Sequence, residues 1–134
     1  MSNVVNWKKV AGLAAALIFA EILVGFIQGF ADAGTNLDAA KRTLVQSTLL
    51  SLTFSTLIFS AMSARQDHRP FLHATLVLLL AFVFSVALGA VLPARLTDTP
   101  LILAVLEWLT LVVGLIIGTT VGHYLRLRRV RADA

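Results

Sequence analysis

The chain has 134 residues, 58% hydrophobic and 13% charged, with a formal net charge of +4 and no cysteine. Such a balance, with a mean hydropathy of +0.88, is far more apolar than that of a soluble domain and argues against water as its main solvent. The missing cysteines exclude disulfides, thiolate metal sites and cysteine nucleophiles, and basic residues gathered at the ends of apolar runs argue against a nucleic-acid partner.

The first apolar run covers residues 10–30 and follows Trp7, Lys8 and Lys9, an aromatic and cationic set suited to the headgroup region. About 20 such residues cross a bilayer as a helix. A cleavable leader is the rival, since Ala31-Asp32-Ala33 has the A-x-A form. The run is nevertheless longer than an apolar leader core of about 7 to 15 residues, and it contains Glu21, so a retained span is expected.

The second span is expected over residues 44–64, with its helix beginning earlier, because Thr35 and Asp38 form a capping-box pattern. The linker Arg65-Gln66-Asp67-His68-Arg69 is short, and Pro70 suits the first position of a third helix over residues 70–92, which Pro93 ends. Asp98 or Thr99 can cap a fourth helix over residues 100–124, with Pro100 at its start and Arg126, Arg128, Arg129 and Arg131 after it. No internal repeat or long linker divides the chain. The expected fold is all-α: a single membrane domain, residues 1–134, of four transmembrane helices in an antiparallel bundle.

The distribution of Lys and Arg orients it. The amino end, middle linker and carboxyl end hold Lys8, Lys9, Arg65, Arg69 and the four terminal arginines, whereas the other two loops hold Lys41, Arg42 and Arg95. By the positive-inside rule, a multi-pass protein of the cell inner membrane with both termini cytoplasmic is expected.

Two carboxylates interrupt the apolar runs: Glu21 near the middle of the first and Glu107 in the outer half of the fourth. A charged group at that depth costs about 2.5 to 3.5 kcal/mol on insertion scales and generally faces a bundle interior or a wet cavity. Neither helix offers a cation at matching depth. Glu21 and Glu107 are therefore the candidates for proton, cation or substrate exchange, with Gln28, two turns from Glu21, as an amide donor. The plainer alternative is a carboxyl acting as interhelical glue.

Small residues recur at intervals of four on every helix. Gly25 and Gly29 share the face of Glu21; Ser47, Ser51 and Ser55 share one on the second helix; Ala81, Ser85 and Gly89 on the third; and Thr110, Gly114, Gly118 and Gly122 on the fourth. Such faces let helix backbones approach closely, and the three consecutive glycines of the fourth suit packing within the bundle or a seam with another chain. The hydroxyls of the second helix can line a hydrated path or bond the carbonyl one turn back, the commoner fate in membrane helices.

His73 and His123 lie near the same end of the bundle and His68 in a loop, where solvated or interfacial imidazoles are expected rather than metal ligands. No nucleophile constellation, phosphate loop or zinc motif appears, so neither an enzyme nor a bound cofactor or metal is expected.

Four short spans with Ala20-Glu21 in the first and glycines in the fourth resemble the small multidrug resistance transporters in architecture. This chain is longer, its third helix has no Trp or Tyr, and its one-sided charge departs from the dual insertion of some members, so no site residue is transferred. Two readings compete. One is an oligomeric transporter or channel using a membrane-embedded glutamate. The other is a non-transporting accessory, assembly or immunity-type subunit that binds a larger membrane complex through its small-residue faces. The partners expected are the lipid bilayer and either further copies of the chain or that complex.

Overall fold

The computed structural model describes residues 6–31, 37–65, 69–91 and 101–132, apart from the side chains of residues 28–31, 37, 40 and 101. The described residues form four helices: α1 Trp7–Ala31, α2 Leu37–Ala64, α3 Pro70–Val91 and α4 Leu101–Ala132. Each is long and apolar enough to cross a membrane.

Local sequence explains the ends that are visible. The Asn6 side chain accepts the backbone N–H of Lys9 at 3.2 Å, an N-cap that satisfies one of the free amides opening α1. α2 begins at Leu37, about two turns before the apolar run proper, as its acidic first turn at Asp38 favours; the Thr35 half of the expected capping box lies outside the described residues. Pro70 opens α3, and it disfavours the right-handed helical region for Arg69, which adopts a φ of 50°. The caps expected at Asp98 and Thr99 also lie outside the described residues.

α4 differs from expectation at its far end. The helix runs past Tyr124 to Ala132, so the arginine tail is helical. After Gly122 the sequence has neither Gly nor Pro to break it, Arg is a strong helix former, and cations suit a helix C-terminus. Arg128 also lies 5.0 Å over the Tyr124 ring, a cation–π contact one turn apart.

The helices alternate in direction. Glu21 meets Ser51, and Lys9 lines the same groove as Arg65, so α1 and α2 are antiparallel. Gly114 abuts Ser55 and Gly122 abuts Ser63, so α2 and α4 run parallel. Around the bundle the order is α1, α2, α4, α3; α2 and α4 share the widest contact, and α1 and α4 barely touch across the diagonal.

Glycine creates the α2–α4 contact. A Cβ on Gly118 would stand 2.5 Å from the Thr56 carbonyl oxygen and 2.9 Å from the Phe59 Cβ, and one on Gly122 would stand 2.8 Å from the Ser63 Cβ. α2 thus occupies the glycine face of α4. The Ser63 hydroxyl adds a bond across the seam, donating to the Thr119 carbonyl at 2.9 Å. Gly25 is different: nothing lies within 4 Å of where its Cβ would be. Gly25→Ala should therefore leave thermal unfolding unchanged or raise stability by about 0.5 to 1 kcal/mol through helix propensity; a clear loss would show that another surface packs there.

The apolar core gathers Val10, Ala14 and Leu17 of α1 with Phe59, Met62, Val77 and Leu111, in the half of the bundle nearer the chain termini. Outside it the surface stays apolar. Phe19 is 68% exposed, Val91 83% and Ile102 75%. In water such a shell would associate, whereas against hydrocarbon it needs no cover, since helices satisfy their own backbone.

Candidate functional site

Above that core the two carboxylates face the gap between α1 and α4. Glu21 is half-buried and Glu107 exposed, and each lines the same two cavities. One, of about 230 Å³, lies between α1, α2 and α4 and is lined by Ser47, Thr48, Ser51 and Thr110 beside the acids, together with apolar Val24 and Leu106. It extends to Leu44 and Leu103, towards the end of the bundle opposite the termini. The other, of about 210 Å³, lies between α1, α3 and α4 and is walled by Phe84, Leu88 and Trp108. Trp108 is held edge-on to Phe82, their ring centroids 4.9 Å apart.

Ser51 positions Glu21. Its hydroxyl, 4% exposed, donates to both carboxylate oxygens, at 2.8 and 2.9 Å. The single hydroxyl proton, shared between the two oxygens, ties the carboxyl group to α2. Glu107 faces the same gap and lines both cavities with it. Two negative charges facing one gap repel, and a proton or small cation between them relieves that repulsion.

Most other hydroxyls are taken by backbone. Ser47 and Thr48 donate to the Leu44 carbonyl, Thr53 to Leu49, Ser55 to Ser51 and Thr110 to Leu106. Ser47 and Ser51 reach the polar cavity, whereas Ser55, fully buried, packs below it against Gly114. The side chain of Gln28 lies outside the described residues, and so does the expected amide donor to Glu21. Gly25 lines the polar cavity without a helix pressed on it. The glycines of α4 instead meet α2 below the acids.

The chain matches no family model, no curated protein and no solved structure.

Nearer the termini a polar group sits inside the bundle. Thr119 is fully buried, and neither its hydroxyl nor Nδ1 of His123 has a hydrogen-bond partner among the described residues. His73 is buried rather than solvated, and its Nδ1–H donates to the Arg69 carbonyl at 3.1 Å, a bond that ties the start of α3 to its linker. No group of three or more metal-ligating side chains forms among the described residues. An unsatisfied buried hydroxyl is destabilising, so Thr119→Val should raise thermal stability by about 1 kcal/mol in detergent. A loss of that size would mean that the hydroxyl has a partner.

Proposed function

We propose that the chain is a multi-pass inner-membrane protein with both termini in the cytoplasm, acting as an oligomeric transporter or channel that exchanges protons or a small cation at Glu21 and Glu107. The observation that carries this reading is the pair of acids on two helices that barely touch, at the base of a cavity that also holds Ser and Thr side chains. Glue would seal each carboxyl between helices; Glu21 is held by Ser51 of α2 on one side, yet both it and Glu107 line the two cavities on the other. The orientation rests on the eight Lys and Arg residues named above for the terminal end.

In this account the cavity delivers water and cations from the outer side, and the Ser51 hydroxyl holds the Glu21 carboxylate ready to receive them. The core of Leu17, Phe59, Leu111 and Leu115 closes the path towards the cytoplasm. Passage then needs that core to part, which makes the closed state one of at least two. With the glycine face of α4 occupied, the subunit contact falls on the open faces of α1 and α3.

The test is flux in proteoliposomes carrying an internal pH dye. An imposed proton or monovalent-cation gradient should change the internal pH faster with protein than without; equal rates under every gradient would remove the transport reading. The accessory reading has one observation in its favour: Gly25 and Gly89 both have open space where a second chain's helix would fit.

A further inference from the structure

A groove between α1 and α2 at the terminal end is lined by Lys9, Gly12, Leu13, Ala61, Met62 and Arg65, with a volume of about 290 Å³. We propose that it holds one anionic phospholipid, the phosphate between Lys9 and Arg65 and the start of an acyl chain along the apolar floor. Both charged lining residues are cations, and both are exposed, at the mouth. The floor presents no polar side chain, which suits hydrocarbon and not a free soluble anion. Gly12 leaves the floor open, with nothing within 4 Å of where a Cβ would stand.

The chemistry of the two cations divides the work. A guanidinium presents a planar fork that matches phosphate oxygens in pairs, and the Lys ammonium adds a mobile point charge from the opposite helix. The larger apolar groove between α1 and α3, about 560 Å³, has no charged lining residue and so nothing to select a headgroup. The proposal requires only that the terminal end face a leaflet containing anionic lipid, and it stands whether or not the chain transports.

Purified protein given an equimolar mixture of phosphatidylglycerol and phosphatidylcholine in detergent should retain the first with at least a fivefold preference, counted as bound lipid by native mass spectrometry. Lys9→Gln with Arg65→Gln should bring that preference near one, and Lys8→Gln with Arg128→Gln should leave it. Gly12→Leu, which fills the floor with every charge intact, should lower it as well and covers the case in which the double variant does not fold. An unchanged preference in both Lys9→Gln/Arg65→Gln and Gly12→Leu would overturn the site. So would an equal loss in the Lys8→Gln/Arg128→Gln control, which would reduce the effect to diffuse charge.

Discussion

Gly118→Leu is expected to separate α2 from α4 and to lower the thermal midpoint in detergent by about 10 °C or more. The space needed is held by backbone: even one added carbon would stand 2.5 Å from the Thr56 carbonyl oxygen and 3.1 Å from the Ser60 nitrogen. A rotamer change cannot clear backbone atoms, so the helices themselves must move. That movement breaks the Ser63–Thr119 bond and exposes Phe59, which is fully buried against this seam. Gly118→Ala should give a smaller loss of the same kind. Wild-type stability in Gly118→Leu would mean that α2 and α4 are not in contact as described.

Glu21→Gln should leave the bundle folded and reduce proton or cation flux at least about 100-fold. The amide has nearly the same volume, and its oxygen can still accept the Ser51 hydroxyl, so packing is kept while the negative charge and its proton are lost. Ser51→Ala separates positioning from charge: the carboxylate stays, but the bond that orients it towards the polar cavity goes, and a partial loss of rate is expected. If Glu21→Gln retains full flux, the site carries no exchange. If it instead loses the folded bundle, the carboxyl is structural and the accessory reading gains.

Four apolar runs, Pro70 and the charge gathered at their ends make the helices legible without coordinates. The depth of Glu21 and Glu107 is equally plain, because a carboxyl in an apolar run stands out on solvation grounds alone. What the pattern leaves open is which helix each face meets. The Gly114-Gly118-Gly122 ridge suits an internal seam or an external one, and only the α1, α2, α4, α3 order assigns it to α2. Ser51 likewise reads as one small residue among several. Its role comes from matching depth across an antiparallel pair, which places it opposite Glu21, whereas Ser55 one turn on bonds its own helix instead. The helical arginine tail was obscured because charge ends the apolar pattern without ending the helix.

The most direct test of the account is infrared difference spectroscopy of the protonated-carboxyl band in lipid-reconstituted protein, with Glu21→Gln and Glu107→Gln used to assign it. The account predicts a Glu21 band that responds reversibly to the pH or cation content of the buffer, and that responds more weakly in Ser51→Ala. A Glu21 band indifferent to buffer over the whole range in which the protein stays folded would contradict it, because an acid that no proton or cation can reach cannot exchange one.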